Sequence, residues 1–257
     1  MDFVRVATLL AGHSMRELIR SKLLYNLLIF ALLLIASSMF VAQLTIGEWD
    51  RIILDMGLAA IELSGVLTAV LIGVGLVAGE IDRRTIFPTL AKPVTRGAFL
   101  LGRYLGLLAM LGINVAIMMA ALAAVLSAAT YSVSSTAAAG ALLVFVELGV
   151  VAAAAMFFAS FTTPVLASAF SLAFFLIGHL LGDLRAFRER SHSGLARSVT
   201  GALYNVLPNL ELFNLKSQAA NGLPVPPGFT SSATLYGCVY AATLLLLAIG
   251  VFSRRDL

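Results

Sequence analysis

The sequence predicts an all-α polytopic membrane protein: six transmembrane helices, an N-terminal interfacial amphipathic helix, and short extracytoplasmic helices between spans five and six. Three observations carry this prediction. Only 12% of the 257 residues are charged and 60% are hydrophobic, whereas an average soluble domain is roughly 25% charged. The mean hydropathy is +1.00. The apolar residues also fall in blocks long enough to cross about 30 Å of hydrocarbon at 1.5 Å per residue. A surface with so little charge suits lipid, and residues 1–257 read as a single transmembrane domain.

Residues 1–21 come first. Phe3, Ala7, Leu10, Ser14 and Leu18 recur at helical spacing, flanked by Val6, Ala11 and Met15, with Arg5, Arg16, Glu17 and Arg20 as polar edges. That pattern suits a helix lying in the interface with arginines among lipid head groups. The N-terminus lacks a small-residue cleavage site after a short apolar core, so no cleaved signal peptide is expected.

Hydropathy places the spans at about 23–44, 57–78, 103–126, 138–160, 164–182 and 233–252. The fourth and fifth are almost continuous across "SFTTPVL". Pro164 fits the first turn of a helix and disfavours helical geometry at Thr163, which predicts a tight hairpin. One long bent helix is the competing reading.

Orientation follows from Lys and Arg beside the spans. Arg16, Arg20 and Lys22 precede the first; Arg83, Arg84, Lys92, Arg96 and Arg103 separate the second from the third; Arg254 and Arg255 follow the last. The opposite side has Arg51 alone between spans one and two, and no basic residue between three and four. Both termini and residues 79–102 are therefore expected in the cytoplasm. Residues 183–232 fall outside despite Arg185, Arg188, Arg190, Arg197 and Lys216, a mild conflict because long loops cross largely regardless of charge. Within them "SVTGALYNVLPNLELFNLKSQA" is amphipathic and too short to span, and "GLPVPPGFT" reads as a rigid connector.

Much chemistry is excluded. The net charge of +4 comes from basic residues beside spans, where it sets topology and meets lipid, and is no nucleic-acid signal. The single Cys238 cannot form an intrachain disulfide. No G-x-x-x-x-G-K-[ST] loop exists for nucleotide, and no H-E-x-x-H or serine–histidine pattern for proteolysis. Haem would need two buried axial ligands, and only His179 among His13, His179 and His192 lies close to a span. His179 and Asp183 stand four apart on one helix face, which predicts a histidine–carboxylate pair; two ligands are too few for zinc, so neither metal nor cofactor is assigned.

Polar residues inside spans are costly and therefore informative. Glu147 in "LLVFVELGVV" and Asn114 in "MLGINVAIMM" sit deep, and Glu62 in "LAAIELSGVL" lies nearer the outer end of the second span. They form either a polar pathway or interhelical hydrogen bonds that serve packing, and packing is the plainer expectation for each alone. "LIGVGLVAG", "AAVLSAAT" and "GVVAAAAM" supply small residues for close helix approach.

Residues 79–102, with Arg103 after them, gather two acids, five basic residues and two prolines. Glu80, Asp82, Arg83, Arg84 and Thr85 are followed by the apolar Ile86, Phe87 and Leu90, and Pro93 breaks the chain before Arg96. A loop that only set topology would explain the arginines but not the acids, the apolar ridge or the prolines.

This stretch resembles the cytoplasmic coupling region of ABC-2-type permeases, the membrane subunits of one class of ABC exporters. Their pattern is an acid, Arg-Gly-Thr, a leucine-rich turn, Pro-Val-x-Arg, and Leu-Gly-Lys with a further Gly. Here it runs Glu80, Arg83-Arg84-Thr85, Leu90, Pro93-Val94-Thr95-Arg96, and Leu101-Gly102-Arg103 with Gly106, so Arg84 replaces the glycine and Arg103 the lysine. The order of elements and "LPNLELFNL" are also similar to this group, including the permease of nitrous-oxide-reductase maturation. The resemblance implies a bacterial cytoplasmic-membrane protein that pairs with a second permease, identical or not. It also implies docking to a separately encoded ATPase, with ATP and magnesium on that partner and none bound here. Glu80, Asp82, Arg83, Arg84, Thr85, Ile86, Phe87, Leu90, Pro93 and Arg96 then form the coupling surface, none of them catalytic, and a periplasmic protein is a further partner open to residues 183–232. An ATP-independent channel or secondary transporter, or a membrane scaffold, is the alternative.

Overall fold

The computed structural model describes residues 3–44, 48–83, 95–129, 131, 133–181 and 207–253. They form helices α1 (Phe3–Ile19), α2 (Lys22–Gln43), α3 (Trp49–Arg83), α4 (Arg96–Ala128), α5 (Ser135–Ala159) and α6 (Pro164–His179), then a 3₁₀ turn (Leu210–Phe213), α7 (Lys216–Ala220) and α8 (Phe229–Ser253). Among the described residues, α2, α3, α4, α5 and α8 are long and apolar enough to cross a membrane, whereas α6 has 16 residues. The expected fifth span of 164–182 is thus shorter than foreseen, about 24 Å as a helix.

Helix α5 is the centre of the bundle, packing on α3, α4, α6 and α8. It is apolar on every side, as a helix enclosed by protein should be. Its alanine run Ala152–Ala155 is fully buried. A Cβ added at Gly73 of α3 would lie 3.3 Å from Ala155 Cβ, so small residues on both helices set their close approach. Tyr104 of α4 donates to the Gly149 carbonyl at 3.2 Å. The hydroxyls of Ser64, Thr68 and Ser171 donate to carbonyls of their own helices, which leaves them satisfied without water.

The hairpin between spans four and five forms as expected. Helix α5 ends at Ala159, Thr163 is extended (ψ 155°), and Pro164 opens α6. Ser134 and Thr95 cap α5 and α4 by accepting from Ala137 N and Ala98 N. Leu33 and Phe40 of α2, Val165 of α6, and Leu235 and Leu246 of α8 are all more than 60% exposed. An apolar belt of this extent is a lipid-facing surface.

Candidate functional site

The 3₁₀ turn and α7 form a wedge set among the helices at the Trp49 end of α3. Its apolar residues Leu210, Phe213, Leu215 and Ala219 are buried. Three of them meet glycines on three different helices. A Cβ at Gly178 of α6 would lie 2.7 Å from Leu210, one at Gly237 of α8 3.0 Å from Phe213, and one at Gly140 of α5 3.7 Å from Leu215. At Gly178 and Gly237 the missing side chains are notches that seat the wedge, and at Gly140 the contact is an ordinary van der Waals one. Asn209 N donates to Tyr236 Oη at 3.1 Å, and Thr136 Oγ1 to the Leu223 carbonyl at 3.2 Å.

Where the wedge enters, four ionisable side chains from four helices converge. Lys216, the first residue of α7, places Nζ 2.5 Å from Glu62 Oε2 of α3. His179, at the end of α6, places Nε2 3.5 Å from Glu62 Oε1 and 3.6 Å from Glu147 Oε1 of α5. Its Nδ1 lies 3.4 Å from the Phe175 carbonyl. A carbonyl oxygen only accepts, so this contact favours the tautomer with the proton on Nδ1, which turns the Nε2 lone pair toward both carboxylates. Glu147 is 0% exposed, and neither of its oxygens has a hydrogen-bond partner among the described residues. Lys216 balances the charge of Glu62, and among the described residues Glu147 has no comparable cation in contact.

Of the three intramembrane residues singled out from sequence, Glu62 and Glu147 come together and Asn114 does not. Asn114 is buried on α4, with both amide atoms unpaired among the described residues. His179 was expected beside Asp183, which lies outside the described residues; the structure places Glu62 and Glu147 near its Nε2. Lys216 was missed because it counted only as a loop charge. The available signal was that Lys216 is the sole basic residue in 207–228, opposite spans that hold acids without cations.

Residues 8–257 match the family described as ABC-2 family transporter protein. The chain belongs to that family. No curated protein matches it. It is thus a transmembrane ABC transporter permease, a membrane transport component of a kind that generally partners with an ABC ATPase subunit.

In this ABC-2 permease, the part of the Glu80–Gly106 motif within the described residues has a clear structural task. Gly102 and Gly106 lie one turn apart on α4 against α1. A Cβ at Gly102 would sit 2.8 Å from the Ala7 carbonyl oxygen, and one at Gly106 2.7 Å from that of Ala11. Between them, Arg103 donates to Glu17 Oε2 at 2.7 Å and to Ser14 Oγ at 3.2 Å. Val6, Ala7, Ser14 and Leu18 are buried, so the foreseen apolar stripe of α1 faces α4. Arg96 donates to the carbonyls of Phe252 and Ser253 at 3.0 and 3.1 Å, tying the start of α4 to the end of α8. Glu80, Asp82 and Arg83 lie on the last turn of α3. Arg84, Thr85, Ile86, Phe87, Leu90 and Pro93 lie outside the described residues.

Proposed function

We propose that this chain is the permease subunit of an ATP-driven exporter of the bacterial cytoplasmic membrane. Both termini and residues 79–102 are cytoplasmic, and residues 183–232, with the wedge, are extracytoplasmic. Two permeases pair, and each docks a separately encoded ATPase that carries the ATP and magnesium. The polar residues Glu80, Asp82, Arg83, Arg84 and Thr85 contact that ATPase, and Ile86, Phe87 and Leu90 fill an apolar groove on it. Pro93 ends this contact before Arg96 opens α4. The likeness to the nitrous-oxide-reductase maturation group belongs to the same proposal and supplies no cargo.

The observation that carries the reading is that α3 is one unbroken helix of 35 residues in a chain of the ABC-2 family. Force applied near Arg83 passes along α3 without a hinge to Glu62, 21 positions and about 32 Å away. Helix α4 receives the same push from its other end and carries α1 with it through Gly102, Arg103 and Gly106. The wedge resting on α3, α5 and α6 is thereby moved by a cytoplasmic event, which is what opening an outer exit requires.

The test is purification in mild detergent with mass spectrometry of retained proteins, comparing wild type with Glu80→Ala/Phe87→Ala. A Walker-motif ATPase should accompany wild type and be depleted with the double variant. Failure of wild type from native membranes to retain any such ATPase sinks the exporter reading.

A further inference from the structure

We propose that Glu62, Glu147 and His179 form a binding site for one divalent transition-metal cation of the zinc class, held between α3, α5 and α6. One ligand atom from each residue lies within 4.8 Å of the other two. His179 Nε2 stands 3.5 and 3.6 Å from the two carboxylate oxygens. Those separations exceed the roughly 2.7–3.2 Å of an N–H···O hydrogen bond. They lie close to the roughly 3.4 Å that separates ligands on a tetrahedral ion with bonds of about 2.1 Å.

The surroundings also suit a metal. Glu147 is completely buried, and its oxygens have no donor among the described residues, which is a costly state that a cation would relieve. The outer contacts orient the ligands as metal-binding residues require. The Phe175 carbonyl, 3.4 Å from His179 Nδ1, favours the tautomer that leaves Nε2 to the ion, and Lys216 holds Glu62 Oε2 so that Oε1 faces inward. Two carboxylates, one ammonium and a neutral imidazole leave one net negative charge for the ion. A nitrogen and two oxygens favour zinc and its neighbours over copper(I), which prefers sulfur.

A polar cavity lies toward the Trp49 end of the same helix face. Asp55 precedes Glu62 by seven residues, two turns outward on α3. With Glu48, Arg51, Ser217 and Asn221 it lines a cavity of about 360 Å³. The bound ion bolts three helices together and, through Glu62 and Lys216, fastens the wedge. This site does not depend on the exporter reading and is tested without ATPase.

The experiment uses the purified full-length chain, stripped with chelator and titrated with Zn²⁺ by calorimetry and with Co²⁺ by absorption. One ion per chain is expected, with a cobalt spectrum of nitrogen and oxygen ligation and no thiolate charge-transfer band. Glu147→Gln and His179→Gln, checked for unchanged monodispersity, should each weaken binding at least about 100-fold. His13→Gln and His192→Gln should leave it unchanged. If the site variants do not fold, the wild-type stoichiometry and cobalt spectrum decide alone. No binding to wild type, which leaves the three groups to a shared proton, overturns the proposal. So does a thiolate spectrum from Cys238, or undiminished binding in folded site variants.

Discussion

Lys216→Met tests whether the wedge is held by charge. Methionine keeps most of the apolar stem and removes the ammonium, so packing changes little. The partner left behind is Glu62, whose side chain is 7% exposed and whose Oε2 loses a donor at 2.5 Å. Breaking a buried ion pair from one side costs about 3–5 kcal/mol. The Lys216 side chain is itself 20% exposed, which places the cost at the lower end, about 3 kcal/mol. For a chain of this size that lowers the apparent thermal midpoint by about 6–12 °C. Glu62→Gln should cost less, about 1 kcal/mol, because the freed ammonium reaches the neighbouring polar cavity and is not stranded. The double variant strands neither group and should recover about 2 kcal/mol relative to the sum of the singles. Scans in detergent at one heating rate, with chelator present to remove any metal contribution, give all four corners of the cycle. Strict additivity, or a Lys216→Met midpoint within a degree of wild type, would refute the idea that this pair fastens the wedge.

Three further outcomes follow from contacts elsewhere. Gly106→Leu drives a side chain into the Ala11 backbone, which cannot swing aside, so α1 should lift from α4; trypsin should then cut after Arg16 and Arg20 markedly faster than in wild type. Arg96→Met removes two donors from the last carbonyls of α8, a loss of about 1 kcal/mol at a helix end; hydrogen exchange should rise at the amides of the last turn of α8 and stay unchanged in α5. Gly178→Val presses on Leu210 and should cost about 1–3 kcal/mol by overpacking; adding Leu210→Ala should recover part of that loss, which a general disturbance of α6 would not allow.

The helices were legible because each carries its signal locally. Pro164 beside an extended Thr163 ended α5 and began α6 where the hairpin was expected, and the small residues of "LIGVGLVAG" and "GVVAAAAM" do meet, as Gly73 against Ala155. Of the stripe Phe3, Ala7, Leu10, Ser14 and Leu18, the residues Ala7, Ser14 and Leu18 are buried against α4, but periodicity cannot tell whether lipid or a glycine ridge covers a face. Helix α3 starts at Trp49 rather than near 57, since hydropathy responds to lipid depth and Asp50, Arg51 and Asp55 hide a helix that continues beyond it. The wedge was least legible. Its residues are too few and too polar to register as a span, and its seats are glycines on α6 and α8 that no local pattern connects. Glu62 and Glu147 could each be flagged as costly, but their company with His179 and Lys216 is a property of the tertiary packing.

Helix α3 joins the two ends of this molecule physically. It carries Glu80, Asp82 and Arg83 at one end and Glu62 toward the other, and it is continuous from Trp49 to Arg83. A kinked helix would absorb a push at its kink, and α3 contains no proline to make one. At Gly57 and Gly65, added Cβ atoms would meet Leu122 of α4 and Leu148 of α5 at 2.4 and 2.5 Å, so α3 is closely fitted against both helices. Displacement at the Arg83 end must then be taken up where α3 meets something that can yield. The wedge is such a place: among the described residues one ion pair links it to α3, single glycines of α6 and α8 seat it, and it borders a cavity. A proline at Ala69, fully buried midway along α3, should therefore separate the two ends. In the proposed exporter, ATPase docking should survive Ala69→Pro in correctly inserted protein while accessibility changes at Cys238 of α8, followed by thiol labelling, lose their dependence on nucleotide. Labelling that still responded to nucleotide would mean that α3 is not the carrier.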